Sequence, residues 1–150
     1  MAKVLIAVDG SELAIEAGRR AIGLLGAEHE FVVLEVAQAP FSSAGLGAMT
    51  LDADVTPPEV WQRLSDDAMT EARADLAEAV QHLRIPARER VETGPSGETV
   101  CQVAADEKAD LVIVCSHGKG WARRALLGSV SHHVVQHAPC PVLVVRAPES

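Results

Sequence analysis

Short, continuous runs of apolar and β-branched residues recur along this 150-residue chain and constrain its fold more than any other feature. Four such runs lie at Lys3–Val8, 31–36, 111–114 and Val142–Val145. A strand that is apolar along its whole length is typical of a parallel sheet that is covered on both faces. A fifth run, 88–93, is polar and alternates only weakly, which indicates a strand at the edge of the sheet.

Helical patterns fill the intervals between these strands. Ser11 is placed to cap a helix that Gly26 ends. The residues 56–59, Thr-Pro-Pro-Glu, predict a second helix with a threonine cap and a capping box. Two shorter helices are predicted at 97–106 and Ser129–His137. Strands that alternate with helices predict an α/β fold, a doubly wound five-stranded parallel sheet with helices on both faces.

Length and composition limit the kinds of protein this can be. A chain of 150 residues has the usual size of one domain, so residues 1–150 are expected to share one core. The net charge of −8 argues against nucleic acid or an anionic membrane as the main partner. No apolar run approaches the roughly 20 residues that a membrane-spanning helix needs. The three cysteines form no CxxC pair, which favours reduced thiols and a cytoplasmic protein.

The expected ligand site lies at the carboxyl ends of two strands. In a doubly wound sheet, ligands bind beyond these ends, at the point where the strand order reverses. The rule indicates residues 9–11 after the first strand and 115–120 after the fourth. Gly128 and Ser129 then open a helix, where backbone N–H groups, a hydroxyl and the positive end of the helix dipole suit a phosphate. These local features alone do not distinguish a phosphate cradle from a glycine-rich turn with a solvated basic face.

Three segments together resemble the universal stress protein family. They are VLIAVDGS near the start, CSHGKGWARRALLGSV at 115–130, and HAPCPVLVV near the end. Nucleotide-binding members of that family carry G-x2-G-x9-G-(S/T) in the second segment. The resemblance covers nearly the whole chain. It implies strand order 3-2-1-4-5 in a Rossmann-like sheet of the adenine nucleotide alpha hydrolase-like type, and a homodimer that pairs through Val142–Val145.

The resemblance also implies a ligand and the residues that hold it. The ligand would be ATP, or ADP or AMP, with or without Mg²⁺, bound between strands one and four. Asp9 would contact the ribose hydroxyls and the backbone of Val36 would lie near the adenine. Cys115 stands where the motif has its first glycine, a position that lies against the ribose. The residues implied to hold phosphate are Gly118, Gly128 and Ser129, and the complete predicted set is Asp9, Val36, Val114, Cys115, His117, Gly118, Gly128, Ser129 and Val130.

Motifs of nucleotide-using enzymes are missing from the sequence. It contains neither GxxxxGK[ST] nor GxGxxG, and no pairing of a base with a nucleophile is evident. We therefore predict no catalytic residues, while slow ATP hydrolysis or autophosphorylation, which occurs in the family, stays open. The resemblance implies a nucleotide-binding stress or regulatory protein that acts as a dimer. The alternative is a dimer of the same fold that binds no nucleotide and acts through protein contacts, with Cys115 as the mark of that loss.

The other histidines and cysteines do not indicate a metal site. His133 and His137 are four residues apart on one helix face, but no carboxylate or thiolate stands at a matching spacing, so no metal site is predicted. His117 would either contact phosphate or fill the turn. Cys101 and Cys140 are predicted to be small buried apolar residues.

Overall fold

The computed structural model describes residues 1–38, 57–117 and 127–146. Its strands form one parallel sheet in the order β3-β2-β1-β4-β5. This order confirms the one that the family resemblance implied, and the polar strand β3 lies at an edge, as its sequence predicted. The strands are β1 Lys3–Val8, β2 Glu30–Ala37, β3 Ala87–Thr93, β4 Leu111–Cys115 and β5 Val142–Val145.

Four helices connect the strands, and their ends follow from local chemistry. The Ser11 side chain caps the first helix by accepting a hydrogen bond of 3.2 Å from the Ala14 N–H. Gly26 ends that helix with φ at 92°, a conformation that favours glycine. No helix in the described ranges has the length and apolar character to cross a membrane. The helices are α1 Glu12–Leu25, α2 Pro58–Leu83, α3 Ser96–Glu107 and α4 Ser129–His137.

The start of α2 differs from the prediction of a threonine cap. The cap position is Pro57, which makes no side-chain hydrogen bond to the helix, and Pro58 is the first helical residue. Pro57 has extended backbone angles, φ −58° and ψ 143°, because a residue that precedes proline is kept out of the helical region. Pro58 has the fixed φ that suits the first helical position. Thr56 lies outside the described residues.

Side chains alternate along the strands between two separate cores, one on each face of the sheet. Helices α1 and α2 cover one face, and α3 and α4 cover the other. Each fully buried Val, Leu or Phe contributes about 1.5–3 kcal/mol relative to an exposed position. The α1/α2 core includes Val4, Ile6, Ala17, Phe31, Val33 and Leu76, and the α3/α4 core includes Leu5, Val32, Leu34, Val100, Val103 and Val134.

Candidate functional site

The segment after β1 is held in one shape by its own side chains. An oxygen of the Asp9 carboxylate accepts hydrogen bonds from the N–H of Ser11, at 3.0 Å, and from the Ser11 hydroxyl. Gly10, between them, has φ at 76°, which a residue with a side chain rarely adopts. The Asp9 carboxylate is thereby fixed at the carboxyl end of β1, immediately before α1.

The end of β4 stands at the same level of the sheet. Ile6 in β1 pairs with Ile113 in β4, so Asp9 and Ser116 each follow the paired residues by the same number of positions. Ser116 is only 1% exposed, and its backbone N–H donates to the Val145 carbonyl at 2.9 Å. The strand order reverses between β1 and β4, so these two segments meet where a doubly wound sheet binds its ligand.

The N-terminus of α4 is anchored directly to the end of β4. The Gly128 N–H donates to the Ser116 carbonyl at 2.7 Å, and the Ser131 hydroxyl donates to the Gly128 carbonyl at 3.0 Å. Gly128 is the cap residue, so this helix has no side-chain cap. Ser129 is the first helical residue and is exposed. The Gly128 N–H is already bonded to Ser116. The donors available to a ligand at this helix end are therefore the backbone N–H groups of the first turn of α4.

Cys115 lies between the sheet end and α1. Its side chain is half-buried, packs against the α1/α2 core, and places Sγ 3.7 Å from the Leu13 carbonyl oxygen. Among the described residues, those other than glycine with positive φ are Arg84 and Lys108, so the backbone at Cys115 does not require glycine. The thiol therefore occupies space beside the first turn of α1 without straining the strand.

The other predicted residues are divided between this edge and the adjoining core. His117 is half-buried at the edge, where its Nδ1 lies 2.8 Å from the Ser116 hydroxyl. Val36 and Val114 are buried in the α3/α4 core near the ends of β2 and β4, and Val130 packs against that core. The edge thus brings together Asp9, Cys115, His117, Gly128 and Ser129. Gly118 falls outside the described residues.

Two histidines of α4 contact each other. The rings of His133 and His137 stack with centroids 4.3 Å apart, and the His137 Nδ1 lies 2.9 Å from the His133 carbonyl oxygen. Within the described ranges, no three His, Cys, Asp or Glu side chains are grouped so that they could hold a metal ion.

Three structural residues of the site were not singled out from the sequence. Ser116 joins β4, β5 and α4, but a serine after an apolar strand gives no signal of such a role. The Gln38 side chain donates to the Ser96 hydroxyl at 2.8 Å and so links β2 to the start of α3. Glu35 is 5% exposed in β2, opposite Val8 of β1. One carboxylate inside an otherwise apolar strand was the available signal for Glu35.

Comparison with known proteins agrees with this architecture. The sequence model of the Universal stress protein family matches residues 1–146. Universal stress protein MJ0531 of Methanocaldococcus jannaschii is 28% identical over 150 residues, which cover 98% of this chain and 83% of that protein. The solved structure of MJ0577, from the same organism, has 25% identity and a TM-score of 0.76, and the match covers 99% of this chain and 97% of that one.

A third similar protein was solved with a ligand. It is a universal stress protein in complex with cAMP, with 23% identity, a TM-score of 0.67 and a match that covers 98% of each chain. At this identity the likeness shows the shared fold. The family match over residues 1–146 carries the assignment itself, and the chain belongs to the universal stress protein family.

Proposed function

We propose that this protein binds an adenine nucleotide, ATP or else ADP or AMP, at the edge between β1 and β4, and that it acts as a regulatory protein rather than an enzyme. The observation that carries the proposal is the position of the Asp9 carboxylate level with the end of β4, to which the N-terminus of α4 is hydrogen-bonded. A carboxylate and a helix N-terminus at one switch point suit the two polar ends of a nucleotide, its ribose and its phosphates.

Each part of the nucleotide has a suitable partner at this edge. One Asp9 oxygen accepts from Ser11, and the carboxylate is held in place to accept hydrogen bonds from ribose hydroxyls as well. The first-turn N–H groups of Ser129 and Val130 and the exposed Ser129 hydroxyl would bind phosphate. The backbone at Val36, near the end of β2, would lie beside the adenine, and Gly118 would complete the phosphate site.

The comparisons support an adenine nucleotide as the ligand class. The similar universal stress protein that was solved in complex with cAMP holds such a ligand on this fold. Mg²⁺ would be brought by the nucleotide's own phosphates, since the described residues offer no cluster that could hold a metal ion without it.

Titration calorimetry with ATP, ADP and AMP, each with and without Mg²⁺, tests the proposal. Asp9→Asn keeps an oxygen acceptor for Ser11 but removes the charge, so we expect nucleotide affinity to fall about tenfold, or about 1.4 kcal/mol. Asp67→Asn is the matched control, because Asp67 is exposed on α2, and this variant should bind like the original protein. Equal nucleotide affinity in the original protein and Asp9→Asn would show that Asp9 does not contact the nucleotide.

We further propose that two copies pair through β5. In a parallel ladder the N–H and C=O of one residue face the same neighbour, and successive residues alternate. The carbonyls of Pro141 and Val145 accept from β4, so Val142 and Val144 direct their backbone groups to the open edge. An apolar edge strand is a template for another strand, and a symmetric dimer would cover it.

The alternative function is a dimer that has lost nucleotide binding and acts through protein contacts. The half-buried Cys115 side chain favours it, because the corresponding glycine of the family motif leaves that volume empty. Denaturing the purified protein and chromatographing the released small molecules distinguishes the two functions. An adenine nucleotide in the released fraction supports binding. An empty fraction, together with no heat on addition of any nucleotide, supports the alternative.

A further inference from the structure

The carboxyl end of β2 adjoins the proposed nucleotide site on the side away from β4. In the sheet, β1 lies between β2 and β4. Val8 of β1 pairs with Glu35 of β2. The next residue of each strand segment, Asp9 and Val36, therefore stand level, and Gln38 follows two positions later. Gln38 thus lies at the carboxyl edge of the sheet in the strand next to Asp9, and neighbouring strands are about 4.8 Å apart.

The strand order gives the direction in which a bound nucleotide would extend. The base and the 5′ phosphates are attached at opposite ends of the sugar ring. With the ribose at Asp9 and the phosphates at the N-terminus of α4, beyond β4, the base is directed toward the end of β2. This step rests on the proposed function. It places the side chains at the end of β2 beside the base.

The Gln38 side chain lies on the face of the sheet that α4 covers. Side chains two residues apart in a strand share a face, and Val32, Leu34 and Val36 all pack in the α3/α4 core. Gln38 continues this alternation, and its Nε2 donates to the Oγ of Ser96, the first residue of α3, at 2.8 Å. The Gln38 amide and the first-turn N–H groups of α4 therefore lie on the same face.

The bond to Ser96 sets the orientation of the Gln38 amide. Because Nε2 donates to Ser96, Oε1 is the amide atom turned away from it, and an amide oxygen can accept two hydrogen bonds. Gln38 is exposed at the edge of the sheet, where a ligand can reach it. A long side chain that is already held in one orientation loses less entropy when a ligand binds. Ser96 thus presents Gln38 as a fixed hydrogen-bond acceptor.

We propose that Gln38 is a specificity-determining residue that selects adenine over 6-oxopurines, and that Ser96 is its positioning residue. The two kinds of base differ at position 6. Adenine has an amino group there, which donates hydrogen bonds, whereas hypoxanthine and guanine have a carbonyl oxygen, which only accepts. Oε1 of Gln38 accepts from the amino group, but beside a 6-oxo group it would bring two acceptors together. Glutamine reads adenine through this amino group in DNA as well.

Titration calorimetry of the full chain with ATP and with inosine triphosphate (ITP) tests the proposal. ITP differs from ATP only in its 6-oxo group and the N1 proton that accompanies it. The original protein should bind ATP more tightly than ITP. Gln38→Ala should lower the ratio of the ATP affinity to the ITP affinity about tenfold, because one hydrogen bond to the amino group is lost. Gln38→Glu keeps an acceptor oxygen and should keep the preference for ATP.

Two further comparisons separate recognition of the base from a general effect on the protein. Gln102→Ala is the matched control, because Gln102 is exposed on α3 and its amide donates to Asp106 at 3.0 Å. This variant should bind both nucleotides like the original protein. Ser96→Ala should lower the affinity ratio by a smaller factor than Gln38→Ala, and Ser96→Thr, which keeps the hydroxyl, should restore it.

The affinity ratio decides the outcome. A Gln38→Ala variant with the ratio of the original protein would overturn the proposal, and so would an original protein that binds ITP as tightly as ATP. Both results leave the proposed function standing, since ATP still binds. An unchanged ratio in Ser96→Ala would remove the positioning role of Ser96. If the original protein binds neither nucleotide, the proposed function and this inference both fail.

Discussion

Cys115 is the residue at which this chain departs from the glycine motif that its family resemblance supplies. Its backbone has no positive φ, and its thiol lies beside the first turn of α1, so the strand itself tolerates the side chain. The Cys115 side chain would instead weaken nucleotide binding, because it occupies volume at the edge where the ribose would lie. We therefore expect Cys115→Gly to bind ATP more tightly than the original protein, by up to about tenfold.

Titration calorimetry with ATP measures the affinity of Cys115→Gly. Cys101→Ser is the control variant, since Cys101 packs on the other face of the sheet. The control should bind ATP like the original protein. Unchanged affinity in Cys115→Gly would mean that this position does not limit binding.

Glu107 is the second residue whose environment gives a testable consequence. It is 8% exposed and makes ion pairs with Arg88 and Arg90, at 2.8 Å to the latter. Burial alone would raise its pKa, but hydrogen bonds from Arg88 and then Arg90 outweigh burial and lower the pKa below 4.5. A lowered pKa in the folded state stabilises the protein above the unfolded value, and this stabilisation is lost as the pH falls through the folded value.

Glu107→Gln should therefore lower the free energy of unfolding at neutral pH by about 1–3 kcal/mol, less than for a fully buried pair because Arg88 is 55% exposed. The difference from the original protein should shrink as the pH falls below 4.5. Urea unfolding across this pH range measures the difference. Glu92→Gln is the control, since that carboxylate is 37% exposed and, within the part of the chain that the structure describes, forms an ion pair with Arg90 alone. A difference that stays constant with pH would contradict this account.

At the scale of helices and strands, the sequence predicted most of the fold because the determining signals are local. The apolar runs of β1, β2, β4 and β5 and the caps Ser11 and Gly26 act within a few residues. The predicted threonine cap of α2 was wrong because the helix begins at Pro58, which keeps the preceding Pro57 extended and makes it the cap residue. The carboxylate at Asp9 was found from its place after β1. The role of Ser116 was not, because its contacts come from β5 and α4, which are distant in sequence.

The contact between α3 and α4 gives the prediction at this scale. Gly97→Ala would place a Cβ 2.8 Å from the Cβ of His133, which is closer than two carbon atoms can pack. The His133 Cβ is fixed to its helix backbone, so the two helices must move apart to remove this clash. We expect a loss of about 1–3 kcal/mol in the free energy of unfolding. Gly23→Ala is the matched control, since its added Cβ has nothing within 4 Å, and it should stabilise α1 by up to about 1 kcal/mol. Urea unfolding measures both variants, and equal effects would rule out close packing at Gly97.

For the whole molecule, the two edges of the sheet are unlike each other. Edge strand β3 is polar and carries Arg88 and Arg90, whose ion pairs with Glu107 fasten it to α3. Edge strand β5 is four apolar residues with no charge inside it. Charged side chains protect an edge from pairing with another chain, so β5 is the edge at which a second copy would be expected to add.

The proposed dimer can be tested by removing one hydrogen bond donor from that edge. Val144 directs its N–H away from β4, so Val144→Pro should leave the β4 ladder intact while it prevents pairing with a second β5. Light scattering coupled to gel filtration should give a dimer for the original protein and a monomer for Val144→Pro. Val144→Thr keeps the N–H and should remain a dimer, which separates the backbone donor from the change of side chain. A monomeric original protein at micromolar concentration, or a dimeric Val144→Pro, would show that the copies do not pair through β5.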